Sequence, residues 1–214
     1  MQVDALFGLV VLIFSVVLHE VAHGYMANWL GDPTARLQGR LTLNPLVHVD
    51  PLGSVLLPAI LLFTHSPILI GYAKPVPYNP YNLPGRYDEA FVAAAGPMTN
   101  IGLAVIFGLV IRMAPALDPT LQAAFGGIVL INILLACFNL IPVPPLDGSK
   151  VLSAFFEVLS PTLARGYNTF RLNFERLGVL SGTLLIMVIF YIVAPYFFGS
   201  ILAPLFSFLT GVPL

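Results

Sequence analysis

Residues 4–29 read DALFGLVVLIFSVVLHEVAHGYMANW, an apolar stretch whose second half contains His19, Glu20 and His23. A helix of about 20 residues crosses the roughly 30 Å hydrocarbon core of a bilayer, so this stretch is long enough to span a membrane. Helical residues four positions apart share one face, so both imidazoles can reach one metal ion. Ionisable groups are costly at membrane depth, which favours a metal site over the alternative, a structural polar cluster.

The composition places the 214-residue chain in a membrane. Hydrophobic residues make up 58% of it and charged residues 9%, against roughly 45–50% and about 25% in soluble domains. Too little polar surface remains to cover a water-facing globule, which excludes soluble and disordered classes. Nine basic and ten acidic residues give no basic excess for nucleic acid. The single cysteine, Cys137, excludes an intramolecular disulfide and a cysteine-type zinc site.

The apolar segments predict an all-α polytopic membrane protein with about five transmembrane helices plus a re-entrant segment. The candidate membrane segments are residues 4–29, 52–72, 89–113, 121–141 and 177–197. A shorter helix is predicted over 147–159, a polar surface stretch over 160–176, and an apolar segment too short to cross upright over 200–209. We expect residues 1–214 to form one membrane-embedded domain, with its core in residues 4–159.

The segment 52–72 is predicted to enter and leave the membrane on one side, because Pro58 and the polar stretch 64–67 interrupt it. If it spanned, the nine basic residues would divide three against six. If it re-enters, eight lie on one side and Arg112 alone on the other. The positive-inside bias favours re-entry with the N-terminus outside, and a kinked span is the alternative.

A catalytic zinc site usually has three protein ligands and one open position, so the two histidines need a partner. Residues 139–148 read NLIPVPPLDG. Three prolines in four positions cannot continue a regular helix, so the chain unwinds and Asp147 can turn inward where the next helix begins. Its alternative role is to cap that helix. In the outside-to-inside topology, segments 4–29 and 121–141 both run inward and bring these groups to the cytoplasmic side.

The motifs resemble those of the site-2 protease family of intramembrane zinc metalloproteases, over about residues 14–151. The resemblance rests on HExxH at 19–23 and NxxPxPPLDG at 139–148. It continues through GRLTLNPLVHVDPLG at 39–53, KPVP at 74–77 and GPMTN at 96–100. These additional blocks are similar to the compact prokaryotic branch that lacks a PDZ domain, although 52–72 is an insertion between the two main motifs.

The resemblance implies one zinc ion per chain, held by His19, His23 and Asp147, with Glu20 as the catalytic glutamate. It implies hydrolysis of peptide bonds in or near transmembrane segments of membrane proteins, as in regulated intramembrane proteolysis at a cell membrane. The expected partners are transmembrane substrates and the lipid bilayer, and no nucleic acid. The alternatives are a metal or ion transporter, which would spread ionisable residues along a pathway, and an inactive relative, which the intact Glu20 disfavours.

Five further polar residues have open roles. Asn139 is predicted either to stabilise the oxyanion of a tetrahedral intermediate or to bond a neighbouring helix. Asn100 has the same two interpretations, with the helix contact favoured. His48 and Asp50 support either the site or their own loop, with the loop favoured, and His65 is predicted to lie at the dip of the re-entrant segment.

The stretch 36–43 places leucines at 37, 41 and 43. This alternation suggests a short β-hairpin. Its edge would hold an extended substrate by strand addition.

Overall fold

The computed structural model describes residues 5–56, 73–176 and 196–214, together with the single positions 60, 63, 188 and 192. Most of the segment 52–72, including His65, lies outside the described residues, as does most of the predicted span 177–197. The re-entrant arrangement and the number of five spans therefore remain predictions.

The described part of the chain is helical. Its α-helices are α1 (Ala5–Trp29), α2 (Thr34–Leu37), α3 (Asp88–Met113), α4 (Pro119–Asn139), α5 (Asp147–Leu159), α6 (Pro161–Glu175) and α7 (Ala203–Thr210). Pro45–His48 and Pro80–Asn82 form 3-10 turns, and Pro51–Leu56 and Phe198–Leu202 form π-helical turns. Among the described helices, α1, α3 and α4 are long and apolar enough to cross a membrane, which confirms an all-α protein of the membrane class.

Helix α3 lies at the centre of the bundle and packs against α1, α4, α5 and α7. An apolar core fills the half of the bundle near the C-terminal end of α3. Its buried members are Ala104, Ile111, Val129, Ile133, Leu202 and Phe206. The other half of the bundle contains the buried side chains of His19, Asn100 and Asn132, so the two ends of α3 face different chemical environments.

The predicted β-hairpin over residues 36–43 is wrong. The Asp32 carboxylate accepts hydrogen bonds from the backbone N–H and the hydroxyl of Thr34, at 3.2 and 2.5 Å, where the helical turn α2 begins. Gly39 then adopts a positive φ of 64°, a left-handed conformation that ends the turn and suits glycine. Local hydrogen bonding thus outweighs the alternating leucines.

The stretch 160–176 was predicted only as a polar surface stretch, and most of it forms α6. This helix packs against α5. Ala164 and Phe174 of α6 are buried, and Phe156 of α5 meets Tyr167 of α6 edge-to-face with ring centroids 5.4 Å apart.

An extended segment, residues 73–79, lies beside the C-terminal half of α1, where Val76 is next to Gly24. The Lys74 N–H donates to the His48 carbonyl at 2.8 Å, and the Arg40 guanidinium donates to the carbonyls of Lys74 and Pro75 at 2.7 and 3.2 Å. Residues on either side of the segment 52–72 are therefore hydrogen-bonded to each other.

Asp32, just after α1, forms hydrogen bonds to residues at the end of the segment 73–79 and immediately beyond it. Its carboxylate is fully buried and also accepts from the Asn79 N–H and the Asn82 side-chain amide, both at 2.7 Å. Burial opposes ionisation, but the hydrogen bonds from Asn82, Thr34 and Asn79 outweigh it and lower the pKa of Asp32 from 3.8. The folded-state pKa is thus below the unfolded one, so the carboxylate stabilises the fold above about pH 4, and this stabilisation is lost at lower pH.

We predict that Asp32→Asn lowers the free energy of unfolding at pH 7 by about 1–3 kcal/mol, because an amide turns one donor toward the donors it must accept from. The difference from wild type should narrow as the pH falls from 7 to below 4. Thermal unfolding of the detergent-solubilised chain, carried out at several pH values, measures the loss of unfolding free energy and its dependence on pH. Asp118→Asn is the control. This carboxylate caps α4 at an exposed site, where water can replace its hydrogen bonds, so the loss of unfolding free energy should be smaller. A pH-independent difference for Asp32→Asn would contradict the prediction.

Candidate metal centre

Helix α1 presents His19 and His23 on one face, as the four-residue spacing predicts. Their rings are edge-to-face with centroids 4.6 Å apart, and both Nε2 atoms point to one carboxylate. The Asp147 Oδ2 atom lies 3.2 Å from the Nε2 of His19 and 3.3 Å from that of His23. The structure therefore brings the three predicted metal ligands together.

Asp147 reaches this position because the chain unwinds after α4 and begins α5 with Asp147 as its first residue. Leu146 is the N-cap of α5, so the carboxylate of Asp147 turns to the two histidines instead of capping the helix. Gly148 allows the tight turn: a Cβ there would lie 2.8 Å from the Ile141 carbonyl oxygen and closer still to the Leu140 carbonyl group.

The other ring nitrogen of each histidine contacts a hydrogen-bond acceptor. The His19 Nδ1 lies 2.6 Å from the Asn100 Oδ1, and the His23 Nδ1 lies 2.7 Å from the Val92 carbonyl oxygen. An acceptor at Nδ1 holds the proton on that atom and leaves the Nε2 lone pair free for a metal. Asn100 thus contacts a predicted metal ligand as well as neighbouring helices.

The three donors fit a tetrahedral metal ion. Ligands about 2.0–2.1 Å from a tetrahedral zinc ion lie roughly 3.3–3.4 Å from one another, close to the 3.2 and 3.3 Å that separate Asp147 Oδ2 from the imidazoles of His19 and His23. The three donor atoms all lie within 4.8 Å of one another. Two imidazole nitrogens and one carboxylate oxygen are a donor set that zinc accepts in enzymes.

Gly96 of α3 provides the space for this cluster. A Cβ at this position would lie 2.6 Å from the His19 Nε2 and still closer to the His23 Nε2. Any side chain would therefore occupy the volume into which both metal-binding nitrogens point. The sequence showed Gly96 only as part of a motif; the structure gives the physical reason for a glycine there.

Glu20 lies one residue after His19 and therefore points about 100° around the helix, toward the extended segment 73–79. Its Oε2 accepts a hydrogen bond from the Val76 N–H at 2.9 Å. Among the described residues, the carboxylate makes this one hydrogen bond, so its remaining lone pairs can accept a proton. Sequence analysis missed Val76, because the interacting group is a main-chain N–H that no residue type reveals.

A charged cluster adjoins the centre on the side of α5. The Lys150 ammonium lies over the Tyr78 ring, 5.0 Å from its centroid, and the Tyr78 hydroxyl donates to Glu89 at 3.0 Å. Arg171 of α6 lies 3.8 Å from the same Glu89 oxygen. Burial raises the pKa of the Tyr78 hydroxyl although Lys150 opposes this, so Tyr78 remains a neutral hydrogen-bond donor.

Three predicted polar residues make contacts away from the three ligands. The Asn139 amide donates to the Leu135 carbonyl of its own helix at 2.9 Å, and its oxyanion role remains a prediction. His48 is buried, with its Nε2 2.9 Å from the Thr42 carbonyl oxygen. Asp50 accepts from the N–H groups that follow it in the chain. The contacts of His48 and Asp50 are therefore loop contacts.

Comparison with known proteins identifies relatives of this chain. Residues 110–188 match the model of peptidase family M50, a stretch that contains Asp147 and not the two histidines. The chain is 39% identical over 156 residues to "Putative zinc metalloprotease YwhC" of Bacillus subtilis, covering 67% of this chain and 66% of that protein. Rip2 of Mycolicibacterium smegmatis, which carries the same description, is 31% identical over 144 residues, or 65% of this chain and 53% of that protein.

A third relative with that description, MJ0611 of Methanocaldococcus jannaschii, is 45% identical over 76 residues, or 35% of this chain and 38% of that protein. The chain thus spans about a third to two thirds of the length of these relatives. No solved structure matches it significantly. By the family model and the metalloprotease relatives together, the chain belongs to peptidase family M50, the site-2 protease family.

Proposed function

We propose that this protein is a zinc-dependent endopeptidase that hydrolyses peptide bonds in or near the transmembrane segments of membrane proteins. The observation that carries the proposal is the meeting of His19, His23 and Asp147 at 3.2–3.3 Å, with Glu20 on the adjacent helical position. The three ligands would hold one zinc ion per chain, which when bound supplies Lewis acidity to the attacking water and the scissile carbonyl.

The chain's own residues would perform the proton transfers. Glu20 would accept a proton from the attacking water and pass it to the leaving amine, as a general base and then a general acid. The Val76 N–H donates to one oxygen of this carboxylate, which restrains the carboxylate and leaves its other oxygen to accept the proton. Asn139, at the end of α4, is our candidate donor to the oxyanion of the tetrahedral intermediate.

The location of the centre limits the form of the substrate. His19 lies well inside the predicted membrane span α1, and a substrate helix at this depth keeps its backbone carbonyls in i→i−4 hydrogen bonds. The substrate must therefore unwind locally before water can attack. We therefore expect the substrates, in regulated intramembrane proteolysis, to be transmembrane segments whose helix is weak at the cut site.

We further propose that residues 1–214 form a single domain in the cell membrane and that the centre opens toward the cytoplasm. The excess of basic residues on that side supports this orientation. The hydrogen bonds between Arg40, His48 and Lys74 support a return of the intervening segment to the same side.

We predict that Glu20→Gln retains zinc and the fold but lowers the cleavage rate by at least about 100-fold, because an amide cannot accept the proton of water. Zinc content is measured on the purified chain, and cleavage by mass spectrometry of a panel of single-span substrates. His23→Ala is the comparison, and it should lose both zinc and cleavage. Cleavage by Glu20→Gln near the wild-type rate would show that another group is the base.

We predict that Gly96→Ala lowers zinc affinity by about 10-fold or more, since the added Cβ would displace the ligand nitrogens and ligand orientation governs affinity. Gly102→Ala is the matched control on the same helix, because a Cβ at Gly102 would meet nothing within 4 Å. A chelator competition assay compares the two variants. Equal affinities would contradict the proposed ion position.

Cysteine labelling in intact cells tests the orientation. In a Cys137→Ser background, single cysteines at Gln38 and Tyr81 should react only after the cytoplasmic side is made accessible, because the hydrogen-bonded loops lie together. A cysteine at Ala116, between α3 and α4, should react from the outside. Labelling of Gln38 and Tyr81 positions from opposite sides would show that segment 52–72 spans the membrane.

A further inference from the structure

Three polar side chains are buried beside His19, and they come from three different membrane-spanning helices. Ser15 of α1 is 4% exposed, and Asn100 of α3 and Asn132 of α4 are 0% exposed. Polar groups at this depth have no water to bond to, so each must be satisfied within the protein. Their arrangement therefore requires an explanation.

The hydrogen bonds between them run in one direction. The Asn132 amide nitrogen donates to the Ile128 carbonyl at 2.9 Å and to the Ser15 hydroxyl at 3.0 Å. A backbone carbonyl can only accept, so it fixes which end of the Asn132 amide faces it. The Asn132 oxygen is thereby turned to Asn100, whose amide nitrogen donates to it at 2.8 Å.

The same logic continues to the metal ligand. Because its nitrogen faces Asn132, and also the Ser15 carbonyl at 3.4 Å, the Asn100 amide presents its oxygen to the His19 Nδ1 at 2.6 Å. That oxygen can only accept, so Nδ1 must carry the proton and Nε2 is left to bind the ion.

The two histidines differ in this respect. The His23 Nδ1 faces the main-chain carbonyl of Val92, an acceptor whose identity is fixed by the helix. The His19 Nδ1 faces a side-chain amide, which would become a donor if it rotated by 180°. His19 thus depends on whatever holds the Asn100 amide in its orientation.

We propose that Asn132, anchored by Ser15 and the Ile128 carbonyl, is a positioning residue that orients the Asn100 amide and so selects the metal-binding tautomer of His19. The role is indirect: Asn132 contacts Asn100, and Asn100 contacts the ligand. This inference rests on the proposed zinc site.

The test is the zinc affinity of the full-length chain in detergent, measured by competition with a chromophoric chelator. Asn132→Leu, of similar volume, frees the Asn100 amide to rotate and should lower zinc affinity by about 10- to 100-fold, the range found for partners of metal-binding histidines. The absorption spectrum of the cobalt-substituted protein provides a second readout of ligand geometry.

The Asn100→Asp background separates orientation from packing. A carboxylate presents an oxygen to the His19 Nδ1 in either orientation, so zinc affinity should stay within about threefold when Asn132→Leu is added to that background. Ser15→Ala, which removes one anchoring hydroxyl, should show the same pattern with a smaller loss and replaces Asn132→Leu if that variant does not fold.

Thr99→Val is the matched control, because the Thr99 hydroxyl, within the described part of the chain, bonds the Ala95 carbonyl of its own helix, and it should leave zinc affinity unchanged. An equal loss with Asn132→Leu in both backgrounds would show that Asn132 acts by packing and would overturn the proposal. Unchanged affinity with Asn132→Leu would overturn it as well. A wild-type chain that binds no zinc would instead contradict the proposed function.

Discussion

The close approach of α1 and α3 at Gly96 is the constraint on which the centre depends. Because Gly96 has no side chain, His19 and His23 can turn their Nε2 atoms into the space beside α3, and Asp147 reaches the same space from α5. A larger residue there would separate the helices or deflect the rings. The distances of 3.2 and 3.3 Å between the ligands therefore reflect helix packing as much as the HExxH spacing.

The need to satisfy polar groups within a membrane determines what surrounds the ligands. Each imidazole has an acceptor at Nδ1, and the acceptor for His19 is itself held by Asn132 and Ser15. At the other end of α3 the core is apolar. The bundle thus combines an end with an apolar core and an end where hydrogen bonds fix the orientations of the buried side chains.

Much of this architecture was predictable because its signals are local. Apolar length gave α1, α3 and α4 to within two residues at each end, and the proline run before Asp147 correctly predicted where α5 begins. Helical spacing and zinc coordination chemistry predicted that His19, His23 and Asp147 meet, as they do in the structure. The prediction of a β-hairpin over 36–43 was wrong because the hydrogen bonds of the Asp32 side chain determine the local backbone there. The alternation of apolar residues contains no information about these bonds.

The unpredicted parts depend on contacts between segments far apart in the chain. His19 and Glu20 are consecutive, so they face different neighbours: His19 faces α3, and Glu20 faces the segment 73–79. Val76 lies between two prolines, which have no N–H groups, and its own N–H is the donor to Glu20. The Arg40 guanidinium donates to the carbonyls of Lys74 and Pro75, the two residues before Val76. The orientation of the proposed base therefore depends on how this loop is held as well as on α1.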